Sequence, residues 1–310
     1  MLRHSKKLFI SIKKYFGRKF RRYTTIVNRK IFRPSSEPFI SGDTFRKKSD
    51  FIFDEVRSFD PDSIKEGNII FLKTDLRNIF FDTVHPKIKN KYVLITHNSD
   101  ENISKKDTEL IDEKIIHWFA QNLSTPENDK VSILPIGFEN RHYLNNGKIK
   151  NLKNIQKLDT PKVNKILASF NKNTNYLMRN DLLEALPKYK NVDIRLFGTP
   201  KEYLINLKKY KFIICPEGNG VDTHRVWEGL LAKTVPIMLN SVFAQNLKSN
   251  DVPIILLNNW DELADLNLRK IEEAYKLFED RNFNDFTNTC WIMKLYFFNY
   301  FFSLKNCKRR

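Results

Sequence analysis

Two patterns of apolar and polar positions recur along the chain. One is the short continuous apolar run, which predicts a strand buried on both faces. The other places apolar residues every three or four positions and predicts an amphipathic helix. Between Glu37 and Phe138, "EPFISGD" predicts a strand running into a loop and "TFRKKSDFIFDEV" a helix. "NIIFLKTD" predicts a buried strand, "LRNIFFDTVHPKI" a helix, "KYVLITHNSD" a strand with a polar end, and "VSILPIGF" a closing strand. Asn140 to Lys162 is polar, rich in Asn and Lys, and carries Pro161; it reads as an interdomain linker.

The second half repeats the logic. "VNKILASFN", "NVDIRLFG", "YKFIICPE", "VPIML" and "VPIILLNN" predict strands, while "NYLMRNDLLEALPK", "PKEYLINLKK", "DTHRVWEGLLAK" and "WDELADLNLRKIEEAYKLFED" predict helices. Strands alternating with helices indicate parallel sheets. The expected fold class is therefore α/β, with two Rossmann-like doubly wound domains facing across a cleft lined by loops at the carboxyl ends of the strands. The expected division is an arm over residues 1–36 and an N-terminal Rossmann-like domain with linker over 37–160. A C-terminal Rossmann-like domain follows over 161–283, and a terminal helix with a basic tail over 284–310.

Composition fits packed domains: 41% of residues are hydrophobic and 13% aromatic, which excludes wholesale disorder. The net charge of +18 favours an anionic partner. Twelve Lys or Arg residues and no acid occur up to Arg33, so the remaining chain carries only +6. In the arm, Leu8, Ile12, Phe16, Phe20, Tyr23 and Val27 form one apolar stripe with bases around it. That is the pattern of a basic amphipathic N-terminal helix lying on an anionic membrane surface, and it implies peripheral association with the inner, cytoplasmic face through residues 1–33. A helix packed on the protein's own core is the alternative. No apolar run approaches the ~20 residues that span a bilayer, and no helix-turn-helix, zinc-finger or RNA-binding signature points to nucleic acid. Phe286 to Phe302 reads as a mostly buried terminal helix. Three scattered cysteines, Cys215, Cys290 and Cys307, make neither a disulfide framework nor a zinc pattern.

The densest chemistry lies in "YKFIICPEGNGVDTHRVWEGLLAKTVPIML", from Tyr210 to Leu239. A buried strand ends at Cys215, so Pro216 to Asp222 sit at its carboxyl end, where open α/β sheets bind ligands. Gly218 and Gly220 permit positive φ and close approach to a ligand. Asp222 or Thr223 can cap the next helix, whose N-terminus suits a phosphate. Arg225 in its first turn can add a bidentate contact to that phosphate, and Glu228, on the same face as His224 and Arg225, can accept both hydroxyls of a ribose diol. A plain surface pair between Arg225 and Glu228 is the simpler alternative.

This segment resembles the donor-binding segment of exostosin-like glycosyltransferases, which have the GT-B fold. "ILASFNKNTNYLMRNDLLEAL" resembles that family's first C-terminal strand, loop and Arg-bearing helix. The resemblance covers roughly Asn164 to Asn258; the N-terminal half is similar in architecture only. It implies inverting transfer of a sugar from a nucleotide-sugar, without a bound metal or other cofactor, to a surface-glycan or lipid-linked acceptor. Arg225 would hold the diphosphate and Glu228 the ribose. Glu217, Gly218 and Asn219 would approach the sugar, with His224 beside them and Asn171 and Arg179 on the phosphate side. A more distant likeness is to bacterial fucosyltransferases, from whose "FEN" and "TEK" motifs "CPE" and "THRVWE" depart.

Inverting transfer needs a base for the acceptor hydroxyl. Asp43 follows the first predicted strand, His97 and Asp100 follow a later one in "LITHNSD", and Glu139 lies near the linker. Asp43 could equally cap a helix at Thr44, and His97 and Glu139 could be ordinary loop residues. Arg46 and Lys73 are candidate anion contacts, or solvated charges. His85, His117 and His142 show no metal-ligand spacing, so no metal set is expected. The reading from a different class is a non-catalytic basic protein that binds membrane or nucleic acid.

Overall fold

A computed structural model describes residues 33–264 together with Tyr275, Lys276 and Trp291. The chain forms two parallel α/β sheets of five strands each. The basic arm up to residue 32, and the predicted terminal helix apart from Trp291, lie outside the described residues.

The first sheet contains β1 (Phe51–Phe53), β2 (Asn68–Lys73), β3 (Tyr92–His97), β4 (Ile115–Ala120) and β5 (Val131–Ile133), in sequential order. β3 and β4 are buried along their whole length, which is why they read as apolar runs rather than alternations. Trp118 in β4 is fully buried and donates its indole N–H to Thr96 in β3 at 2.8 Å. β4 was not among the predicted elements, because His117 interrupts its apolar run. The ring of His117 is nonetheless buried and bonded to the Asp129 carbonyl and the Ser132 hydroxyl.

Two predicted elements at the start of this domain differ. "EPFISGD" contributes only an isolated bridge, Ser41 to Gly137, and then enters helix α1 (Gly42–Lys48). The predicted helix over "TFRKKSDFIFDEV" stops at Lys48, and Phe51–Phe53 instead pairs with Ile70–Leu72 as an edge strand. Asp50 fixes the break: its carboxylate accepts the Ile69 N–H at 2.8 Å and its own N–H donates to the Ile69 carbonyl.

The supposed linker carries helix α2 (Ile149–Lys157), which buries Leu152 and Ile155. The second sheet contains β6 (Val163–Ala168), β7 (Val192–Ile194), β8 (Tyr210–Ile214), β9 (Val235–Leu239) and β10 (Ile255–Leu257). Around it lie α3 (Tyr176–Ala185), α4 (Pro200–Leu207), α5 (His224–Leu231) and α6 (Val242–Ser249), the last of which was not predicted. The strand order is β10-β9-β8-β6-β7, so the order reverses between β6 and β8. Such a reversal opens a crevice beyond the carboxyl ends of the two strands. Tyr275 packs edge-on against Phe212 of β8, and Trp291 against Trp227 of α5.

Candidate functional site

The crevice at the reversal holds a cavity of about 530 Å³. β6 delivers Ser169, Phe170 and Asn171 to its rim, α4 delivers Tyr203, and α5 delivers His224, Arg225 and Glu228. α5 is amphipathic. Val226, Trp227, Gly229 and Leu230 are buried against the sheet, and a Cβ at Gly229 would stand 3.0 Å from the Thr234 carbonyl. This packing turns Arg225 and Glu228 toward the cavity. Thr223 is the N-cap by backbone conformation but makes no capping bond from its side chain.

Arg225 donates its Nε–H to the Ser169 carbonyl at 2.8 Å and lies over the Phe170 ring at 5.9 Å. Among the described residues no carboxylate comes within ion-pair distance of it, so the simple surface pair with Glu228 does not form. Arg179 in α3 is buried and likewise lacks a carboxylate. It donates to the carbonyls of Glu217 (2.8 Å), Asn171 (2.9 Å) and Pro216 (3.1 Å), and to the Thr174 hydroxyl. One guanidinium thus ties the loop after β6 to the loop after β8. Burial, and then the neighbouring Arg225 charge, push Arg179 down to about 10. Burial raises the Glu228 carboxyl above its ordinary range against the pull of His224 and Arg225. The Tyr203 hydroxyl is buried beside the Glu228 carboxyl. Among the described residues Arg225 has no carboxylate at ion-pair distance, and an anionic ligand in the cavity would supply that charge.

The first domain faces this crevice with a cavity of about 450 Å³. Glu139 and His224 line both cavities, so the two meet at this pair. His224 donates Nδ1–H to the Gly137 carbonyl at 2.7 Å, and its Nε2 lies 3.8 Å from Glu139. Burial would lower its pKa, but Glu139 and the Gly137 carbonyl together hold it above the ordinary value.

The expected bases occupy unequal positions. Asp43 was expected to open toward the cleft; instead it is fully buried. Its carboxylate accepts from Arg33 at 2.8 and 2.9 Å, from His142 Nδ1 at 2.7 Å and from Asn98 at 3.2 Å. Burial raises its pKa, but His142 and then Arg33 hold it below the usual range, so it is poorly disposed to take a proton. Nor does Asp43 cap α1; Ser41 does. His97 is buried with both ring nitrogens engaged, Nε2–H donating to the Pro135 carbonyl at 3.1 Å and Nδ1 accepting the Asn98 N–H at 2.8 Å. Burial pushes it down to about 4, and it has no free lone pair for an acceptor. Asp100 is exposed on the rim and accepts from Asn219 of the other domain at 3.1 Å. Arg46 and Lys73 are neutralised, by Asp54 at 2.7 Å and by Asp75 at 2.8 Å.

Of the residues expected to bind the donor, His224, Arg225, Glu228 and Asn171 line this cavity, and Arg179, Glu217, Gly218 and Asn219 do not. Asn219 is exposed and bonded across the cleft, and Glu217 is half-buried with its carboxyl raised by burial. Positive φ is confined to Gly67 and Gly137 among the described glycines, so Gly218 and Gly220 serve closeness instead. A Cβ at Gly218 would stand 3.2 Å from Arg179 Nη2, and one at Gly220 2.6 Å from Asn122 Nδ2. Asp222 turns away from any ligand. It accepts the Ile136 N–H at 2.7 Å and the Trp227 indole at 3.0 Å, and its own N–H donates to Asn122 at 3.0 Å. Residues outside the motif complete the site: Arg33, Asn98, His142 and Tyr203. His142 and Arg33 lie in stretches that read as linker and arm, and only the folded chain places them beside Asp43.

No family model matches the sequence, and no curated protein matches it. Among solved structures, the chain is similar to an alpha,alpha-trehalose 6-phosphate synthase from Burkholderia multivorans. The TM-score is 0.45 at 11% identity, over 78% of this chain and 73% of the other. It is also similar to an E. coli structure described as trehalose-6-phosphate bound with UDP-2-fluoro glucose. There the TM-score is 0.41 at 12% identity, over 75% of this chain and 74% of that one.

Proposed function

We propose that the chain is a glycosyltransferase that takes a sugar from a nucleotide-sugar bound to the second domain and passes it to an acceptor bound against the first. One observation carries this reading: Arg225 lines the cavity at the strand-order reversal beside Glu228 yet, among the described residues, has no carboxylate at ion-pair distance, and Arg179 near it meets only carbonyls and a hydroxyl. A diphosphate supplies the missing charge, and Arg225 offers it the guanidinium fork. Glu228 takes the ribose diol and Asn171 lies on the phosphate side. Glu217 approaches the sugar, while Asn219 is held by Asp100 and Gly218 lets Arg179 come close. No bound metal or cofactor is invoked.

Glu139 is assigned as the base because it lines both cavities, with Asp100 as the second candidate. The acceptor oxygen bonds to the sugar's anomeric carbon as the bond to the diphosphate breaks. The hydroxyl proton passes to Glu139, and the nucleoside diphosphate leaves against Arg225, with inversion. Asp43 is then a positioning residue that orients His142 and Arg33 at the cavity wall. Within this reading the donor segment follows the exostosin-like pattern, and the basic arm holds the enzyme at an anionic membrane where a lipid-linked or surface glycan is available. Among the described residues no helix is long and apolar enough to cross a membrane. A panel of nucleotide-sugars tested for thermal stabilisation, then for nucleoside diphosphate release with glycan acceptors, checks the proposal. Stabilisation by none of them would overturn it.

A further inference from the structure

Resting on the glycosyltransferase reading, we infer that the acceptor presents an uncharged, polyhydroxylated face, and that phosphorylated acceptors are excluded. The two cavities treat their cations in opposite ways. On the donor side, the hydrogen bonds of Arg179 and Arg225 among the described residues go to carbonyls and a hydroxyl, and neither has a carboxylate at ion-pair distance there. On the acceptor side each permanent cation is held between two carboxylates. Arg33 lies 2.8 Å from Asp43 and 3.0 Å from Glu55. Lys73 lies 2.8 Å from Asp75 and 3.7 Å from Glu55.

The remaining acids make the excess plain. Among the described residues, Glu55, Asp75, Asp100 and Glu139 line the acceptor cavity against Arg33 and Lys73, two negative charges in excess, and Asp43 behind Arg33 brings the excess to three. Protonating both His142 and His224 would still leave one negative charge. A phosphate entering this wall meets like charge, with no unpaired cation among the described lining residues to receive it. A sugar hydroxyl meets what it needs: Asp100 and Glu139 are free of cationic partners other than His224 and can accept O–H groups, while Asn98, Ser99 and Asn140 add neutral polar contacts. The same carboxylates would favour positive charge developing on the transferred sugar.

The test begins with the full chain saturated with UDP, GDP or ADP, whichever raises its melting temperature. If none does, the glycosyltransferase reading itself fails, whatever the acceptor. With the donor site so blocked, a neutral methyl hexoside and the matching hexose 6-phosphate are titrated by ligand-observed NMR. The neutral sugar is expected to bind and the phosphate ester to bind at least tenfold more weakly. Glu55→Gln combined with Asp75→Asn strips Lys73 of its carboxylates and should tighten hexose 6-phosphate binding tenfold or more. Asp100→Lys, at an exposed position, serves the same end if the double variant does not fold. Binding of the phosphate ester to the wild type as tightly as the neutral sugar would overturn the inference. So would a folded variant that gains no affinity for the phosphate ester.

Discussion

Replacing Arg225 by alanine separates a donor-binding guanidinium from a decorative one. Its Nε–H is committed to Ser169 at 2.8 Å and its plane is held over Phe170, so the remaining N–H groups are aimed before any ligand arrives. Two hydrogen bonds to a charged phosphate, at roughly 1.5–3 kcal/mol each, sum to about 3–6 kcal/mol. Since about 1.4 kcal/mol is tenfold in affinity, Arg225→Ala should weaken donor binding by at least ~100-fold. Charge on the leaving diphosphate grows as the bond breaks, so kcat should also fall, by roughly 10²-fold if the arginine acts like a lost oxyanion donor. Arg225→Lys should recover part of the affinity and less of the rate, because an ammonium cannot present a fork. Glu228→Gln should act mainly on affinity. Calorimetry with the stabilising nucleotide-sugar gives Kd, and nucleoside diphosphate release gives kcat. Kd within about threefold of the wild type, with kcat unchanged, would refute the reasoning, since a surface arginine is worth only about 0–1 kcal/mol.

Other residues give distinct signatures. Glu139→Gln should lower kcat about 10²-fold or more while leaving donor Kd near normal, as measured in the same two assays. Asp43→Asn removes the charge facing buried Arg33 and His142; loss of one partner of a buried pair costs about 3–5 kcal/mol, so the chief effect should be a large fall in melting temperature. Burial lifts Asp222 to about 7. Its protonated form therefore favours the folded state below about pH 4, the usual carboxylate value, and that contribution is lost as pH rises through about 7. Asp222→Asn should accordingly flatten the melting-temperature profile between pH 5 and 8, and an unchanged slope would contradict this. Deleting residues 1–31 should abolish binding to anionic vesicles while sparing donor binding, and added salt should weaken binding by the intact chain.

Much of the second domain was legible because its strands are continuous apolar runs and its helices carry clear start signals, such as Thr199-Pro200 before α4. The cavity of the second domain was legible for a related reason: Arg225 and Glu228 lie within one strand-loop-helix unit, so sequence spacing already fixes their relation. The cavity of the first domain was not, because nothing local relates its parts. Asp43, Asn98 and His142 come from three separate segments and meet only through hydrogen bonds of 2.7 and 3.2 Å. The position of Asp43 after a predicted strand suggested exposure. Burial of α1 through Phe45, Thr44 and Asp43 itself reversed that. Neither β4 nor α2 was foreseen, the first for its buried histidine and the second for its polar composition.

The charged loop from Pro216 to His224 divides its residues between two tasks. Asn219, Gly220 and Asp222 reach across to Asp100, Asn122 and Ile136 of the first domain, and His224 reaches Gly137. The carbonyls of Pro216 and Glu217, by contrast, are gripped by Arg179 from behind. The loop is therefore held on both sides before any ligand binds, by the opposite domain and by its own. Such double anchoring suits a site whose next residue, Arg225, must meet a diphosphate in a fixed orientation, because little ordering is then left to oppose binding. It also accounts for the tight spacing of glycines and acids in "PEGNGVDTHR". Gly220 lets Asn122 approach, Gly218 lets Arg179 approach, and Asp222 closes the seam. The ligand contacts fall to the residues that these leave free, Glu217, Arg225 and Glu228.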